Sequence, residues 1–259
     1  MRATLMKRHY ASILALSLLA IASPWAAANA QSSSSSPIPP TAPATASPRP
    51  APAPSVIRDR LGKLDARAQA IVMGTSTEAS QTNSAAIAKQ WPALRSELVG
   101  QGADRSDLIA ADSAVRSLES AVAGGSDPKR AANALTAAFA PIYPSVGDRV
   151  PGRVHRLDYL HRALALDIAA DNWTRANGDA ISARSTWRAI RKTAADHGAQ
   201  QQADSYDRAL NAVEDAIGAR SKTRFTSALS RADIALGRFE KALDQEEPAW
   251  RRFLHNFGV

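Results

Sequence analysis

From Trp173 to Ala194 the residues Trp173, Ala176, Ala180, Ala183, Trp187, Ile190 and Ala194 recur at alternating steps of three and four. That spacing puts all seven on one stripe of an α-helix. A strand, whose side chains alternate at every second residue, cannot gather them on one face. Leu157, Leu160, Leu164 and Ile168 keep the same period just before it, so residues 157–194 are expected to form two amphipathic helices joined by a break near Ala170 to Asn172. Asp171 is the expected cap of the second helix, since its carboxylate can accept a free N–H of the first turn. So short a connection favours antiparallel neighbours.

The remainder of the chain reads in the same way. Hydrophobic residues make up 45% of it but aromatics only 5%, so the apolar positions fall largely to Ala and Leu, which lose little side-chain entropy in helices. Ser55 should open a first helix that Gly74 ends, and Thr75 to Glu78 resembles a capping box for a second, clearest from Ser84 to Val99. Pro92 should kink or restart it. Asp104 opens a third helix closed by Gly124 and Gly125, while Asp127 and Pro128 open a fourth that stops at Pro141. After the central hairpin Gly198 should end the sixth helix, with a seventh near 200–219 and an eighth near 223–245. The expected fold is all-α, about eight antiparallel amphipathic helices in two consecutive four-helix units or one longer bundle. Leu61, Leu64, Trp91, Ala93, Leu94 and Arg95 correspond to Leu157, Leu160, Trp187, Ala189, Ile190 and Arg191 at a constant offset of 96, which fits either an internal duplication or the general likeness of Ala-rich helical seams.

Residues 1–30 carry the marks of a secretory signal: Arg2, Lys7 and Arg8, an apolar run from Ala11 to Ala22, and small residues at Ala28 and Ala30. Cleavage after Ala30 and a periplasmic or secreted destination are expected, with no transmembrane helix afterwards. Residues 31–54 hold eight of the fifteen prolines and should form a Ser/Pro/Ala-rich disordered linker. An N-terminal helical unit is expected over 55–142 and a C-terminal one over 153–259, divided by the Pro- and Gly-rich run from Pro141 to Gly152. With no cysteine in the chain, the core alone must hold the fold. Loss of the three leader charges lowers the net charge from +8 to about +5, which gives weak attraction to anionic surfaces or acidic partners. Nucleic acid is not an expected partner, for no dense basic cluster is interleaved with aromatics.

Candidate sites are few. Trp91, Trp173 and Trp187 sit on the seams and read as core. Arg184, Arg188 and Arg191 form one basic row, and Arg224, Arg231 and Arg238 another at seven-residue spacing; Arg184, Arg188, Arg191, Arg231 and Arg238 could together line an anion- or partner-binding groove between the sixth and eighth helices. His155, Asp158 and His161 suggest a metal, but histidines six apart point in different directions around a helix, so no metal site is expected there. No cofactor is expected, and with no G-x-S-x-G elbow, cysteine nucleophile or phosphate-cradling loop, neither is catalysis. Trp250, Phe253, Leu254 and Phe257 could form a short docking helix. The Asp171 to Trp173 junction resembles a tetratricopeptide-type hairpin, which implies a concave protein-binding surface, although the 34-residue period of that family is missing. The expectation is a non-enzymatic interaction, adaptor or chaperone-like protein of the cell envelope. A bundle that binds a small molecule, lipid or metal near Trp173 and Trp187 is the alternative, and an envelope hydrolase the weaker one.

Overall fold

The computed structural model describes residues 52–148 and 150–244. Among these, eight helices build the protein: α1 Pro54–Met73, α2 Thr77–Gly100, α3 Arg105–Ser120, α4 Pro128–Phe139, α5 Gly152–Ala169, α6 Trp173–Ile190, α7 Gln200–Gly218 and α8 Lys222–Asp244. A π-turn at Ala121–Gly125, a 3-10 turn at Tyr143–Val146 and a single helical turn at Thr193–Asp196 lie between them, and the described residues contain no strand. The fold is all-α, as the seams require. The leader, almost all of the linker and the expected docking residues Trp250, Phe253, Leu254 and Phe257 lie outside the described residues.

Several caps fall where the sequence places them. Asp104 accepts the N–H of Ser106 at 2.7 Å and Asp127 that of Lys129 at 2.9 Å. Four details differ. α1 starts on Pro54 with Ala53 before it and no side-chain cap, because a proline at the first position has its φ preset and no N–H to satisfy. The cap of α6 is Asn172, whose Oδ1 accepts the N–H of Arg175 at 3.1 Å. Asp171 instead takes a left-handed φ of 56° and pairs with Lys222 at 2.8 Å. Pro92 does not restart α2, which runs through it from Thr77 to Gly100; its ring faces solvent, so only one backbone bond is lost. α6 ends at Ile190, short of the expected Gly198, where Thr193 Oγ1 donates to the Ile190 carbonyl at 2.6 Å. Ala194 is nevertheless fully buried, so the apolar seam continues beyond the break in the helix.

Packing forms two closed rings. In the first, α1 packs on α2 and α4, and α3 on α2 and α4; in the second, α5 packs on α6 and α8, and α7 on α6 and α8. Each ring encloses its own apolar cluster, Ile57, Leu61, Ile87, Leu98, Leu118 and Phe139 among the first and Leu157, Leu164, Trp187, Tyr206, Leu210 and Phe239 among the second. Burying a side chain of this size is worth roughly 1.5–3 kcal/mol. Polar contacts show that neighbours run antiparallel. Arg60 meets Glu97 while Arg67 meets Asn83 across α1 and α2, and Arg184 meets Glu214 while Arg191 meets Asp204 across α6 and α7. A ring closed in this way does not stack as a solenoid, so the described residues do not form the concave surface implied by a tetratricopeptide hairpin.

Each helix of the first ring begins 94 to 98 residues before its counterpart in the second. The correspondence extends to single atoms. Trp91 Nε1 donates to Asp112 Oδ1 at 2.7 Å and Arg95 Nε to Asp112 Oδ2 at 2.9 Å. Trp187 Nε1 donates to Asp207 Oδ1 at 2.7 Å, and Arg191 Nε lies 2.8 Å from Asp207 Oδ2. Phe139 and Phe239 complete the two clasps, 5.4 Å and 5.1 Å from their indoles.

α4 and α5 join the rings through polar contacts. Asn133 Nδ2 donates to the Tyr159 carbonyl at 3.0 Å, and Arg162 donates to Asn133 Oδ1 and Thr136 Oγ1 at 3.0 and 2.9 Å. The connection between them is no exposed hinge, since Ile142, Tyr143 and Val146 are buried under α1. Its end is tight: a Cβ on Gly152 would stand 2.5 Å from the Ala140 carbonyl oxygen, which is backbone and cannot rotate away. Gly152→Ala is therefore expected to destabilise by about 1–3 kcal/mol in urea unfolding, and a loss below 0.5 kcal/mol would show that the connection yields readily.

Candidate functional site

The five arginines singled out by the sequence do not share one groove. α6 and α8 lie diagonally across the second ring, and α7 stands between their outer faces. Arg184 is bound across α6 and α7, with Nε and Nη2 donating to Glu214 at 2.9 Å and Nη1 to Asp207 at 3.3 Å. Arg191 is held by Asp204 and Asp207. These two close the edge of the core. Arg188 stays exposed in a shallow hollow with Arg191, Lys192 and Gln200.

Arg231 and Arg238 are placed differently. They line the outer face of the α7/α8 pair, where two hollows of about 360 and 380 Å³ adjoin through Ala212 and Arg231. Arg208 from α7 and Arg224 from the start of α8 complete a row of four exposed guanidiniums. Among the described residues none of the four has a carboxylate within ion-pair distance; Arg208 reaches only Ser205 Oγ, at 3.2 Å. The floor is alanine, Ala209, Ala212, Ala216 and Ala235, with Ile234 exposed at the rim. One carboxylate, Asp215, lies at the far end.

A second cluster occupies the inner seam where α1, the 3-10 turn, α5 and α8 meet. His155 Nε2 lies 3.1 Å from Asp148 Oδ2, and its ring stacks on Tyr143 at 4.4 Å. Burial alone would lower the imidazole, but the Asp148 carboxylate outweighs it and leaves His155 above its ordinary range. Asp148 is held below the usual carboxylate range: burial opposes this, and the bonds from His155 and from the Val150 N–H overcome it. Asp158 is raised by burial, and Glu240 is pushed up to about 8, by burial first and by the Asp158 charge next. Asp65, also raised by burial, accepts from Gln69 Nε2 at 3.1 Å and from Tyr143 Oη at 3.4 Å.

Against known proteins, the chain matches no family model, no curated protein and no solved structure.

His161 belongs to neither cluster. Its Nδ1 lies 2.6 Å from Asp233 Oδ1 and its Nε2 2.8 Å from Tyr206 Oη, a pattern met when Nδ1–H donates to Asp233 and the tyrosine hydroxyl donates to Nε2. Such a chain resembles a nucleophile relay, but Tyr206 is fully buried and its hydroxyl is raised well above its ordinary range by burial. No substrate reaches it, and it works as packing with satisfied polar ends. Trp91 and Trp187 are buried likewise, whereas Trp173 at the start of α6 is only partly buried. Trp187 is fully buried between Tyr206 and Phe239, at 4.5 and 5.1 Å, and leaves no ring face for a ligand.

The residue that sequence reasoning missed is Glu240. Its seam neighbours Phe239 and Ala242 marked α8 as amphipathic, but nothing local shows that α8 lays Glu240 beside His155 and Asp158. Only the closed, antiparallel ring brings those positions together.

Proposed function

We propose that the chain is a non-catalytic interaction protein whose α7/α8 groove receives an acidic amphipathic helix of a partner protein. The observation that carries this reading is the row Arg208, Arg224, Arg231 and Arg238, unpaired among the described residues, above an alanine floor. Arg224, Arg231 and Arg238 repeat every seven residues, about 21 Å from end to end at 1.5 Å per residue. A helix with carboxylates at the same period meets them in register, and alanines on the floor let its backbone come close. The leader-like residues 1–30 support an envelope location for the encounter.

The test is fluorescence anisotropy with a labelled helical peptide that carries glutamates every seventh residue beside an apolar stripe. Arg231→Glu with Arg238→Glu is expected to weaken binding about tenfold, as two exposed charges worth up to ~1 kcal/mol each should, with the circular dichroism unchanged because both side chains are exposed. Wild-type affinity in the double variant would sink the proposal. So would arginine-dependent capture by anionic lipid vesicles with no binding of the peptide.

A further inference from the structure

The inner seam carries a second arrangement, independent of the arginine groove. His155 and Asp158 stand one turn apart on α5, and Glu240 comes across from the antiparallel α8. One donor atom from each lies within 4.8 Å of the other two. Sequence spacing argued against a metal at His155, Asp158 and His161, and His161 indeed turns away to Asp233 and Tyr206. The third donor comes from another helix.

Three observations say what such a trio is built to hold. Behind His155 stands the Asp148 carboxylate, 3.1 Å from Nε2, and an imidazole that gives one N–H to a carboxylate keeps the lone pair of its other nitrogen, here Nδ1, for a cation. Glu240 Oε1 is shielded from solvent and has no hydrogen-bond partner. Four carboxyls, Asp65, Asp148, Asp158 and Glu240, crowd this seam, opposed by two guanidiniums: Arg58 near Asp148, and Arg162, which spends Nε and Nη2 on Asn133 and Thr136. Buried carboxylates packed so closely are costly unless a proton or a cation lies between them.

The donor set narrows the cation. Magnesium and calcium take oxygen ligands, whereas one imidazole nitrogen with two carboxylates suits zinc and its first-row neighbours. Three protein donors also leave a coordination position for water. We propose that His155, Asp158 and Glu240 bind a zinc-like divalent cation at the α5/α8 seam, with Asp148 as the positioning residue that orients the imidazole.

The full chain, stripped with chelator, is titrated with Zn²⁺ against a chromophoric competitor and separately with Co²⁺. The expected result is one saturable Zn²⁺ per chain, a rise in melting temperature with Zn²⁺, and a Co²⁺ visible band. Glu240→Gln and His155→Gln should each weaken Zn²⁺ binding at least tenfold, and Asp148→Asn by ten- to a hundredfold, as the loss of an orienting carboxylate does. No saturable Zn²⁺ binding by the wild type overturns the proposal, and so does wild-type affinity in both ligand variants. Should the variants lose helicity, Co²⁺ broadening of the proton resonances of the wild type decides: His155 and Tyr143 rings for this site, His197 or His255 against it.

Discussion

Trp187→Ala is expected to lower the stability of the second ring by about 3–5 kcal/mol. The indole is fully buried, packs on Tyr206 and Phe239, and gives its N–H to Asp207 at 2.7 Å. Two losses combine, the cavity left by the ring and a hydrogen bond to a charged acceptor. Trp187→Phe separates them, for it keeps an aromatic body and removes only the bond and part of the volume, at about 1.5–3 kcal/mol. Asp207 is not orphaned in either variant, because Arg184 and Arg191 still hold it. Urea unfolding followed by far-ultraviolet dichroism reads both values. An alanine variant that loses less than about 1 kcal/mol would mean that the ring collapses around the gap and that the clasp contributes little.

The second large effect lies between the rings, around Asp167. Its carboxylate is fully buried, 2.6 Å from Arg130 Nη1 on α4 and 3.6 Å from Arg175 Nε on α6. Arg130→Gln leaves that charge with the more distant partner and is expected to cost about 3 kcal/mol. Asp179→Asn should act in the opposite direction. The Asp179 carboxyl is pushed up to about 6, by burial first and by the adjacent Asp167 next. Because the folded value lies above the ordinary 3.8, stability is lost as pH rises through this interval, and the loss is complete only above about 6. The asparagine removes that loss. At pH 7.5 it should gain about 1 kcal/mol, well short of the full shift because the side chain is partly solvated; at pH 3 it should gain nothing. Stability curves measured at the two pH values check this, and an equal gain at both would mean that charge is not the cause.

The seams were legible because they are local. Once Leu157, Leu164, Trp187 and Ile190 fall at helical spacing, burial of that stripe follows whatever lies opposite, and all four are buried. Caps such as Asp104 and Asp127 were legible for the same reason. Asp171 and Asn172 were not separable, since either side chain can cap and the choice rested on which of them took the left-handed turn beside Lys222. Nor could spacing show which helices are neighbours and which are diagonal. The two arginine rows looked like the walls of one groove, but α7 stands between them and supplies the carboxylates that engage Arg184 and Arg191. Glu240 meets His155 and Asp158 for a reason equally invisible in one dimension.

Two rings with the same tryptophan, arginine and aspartate clasp create a sorting problem for the chain as it collapses. While the helices are still free, Trp91 and Arg95 on α2 could close on Asp207 as readily as on Asp112, and a chain that made that error would trap itself or exchange helices with another copy. The ion pairs around the clasps differ in a way that sorts them. Arg184 reaches Glu214 from α6, whereas the position 96 residues earlier is Ala88, which carries no charge. A misplaced α2 would therefore leave Glu214 without its cation and Arg184 without its anion. Arg60 and Glu97, paired across α1 and α2, label the first ring in turn. Surface pairs of this kind add little to the finished structure, but a mismatched charge costs more than a matched one contributes, so they disfavour the exchanged pairing.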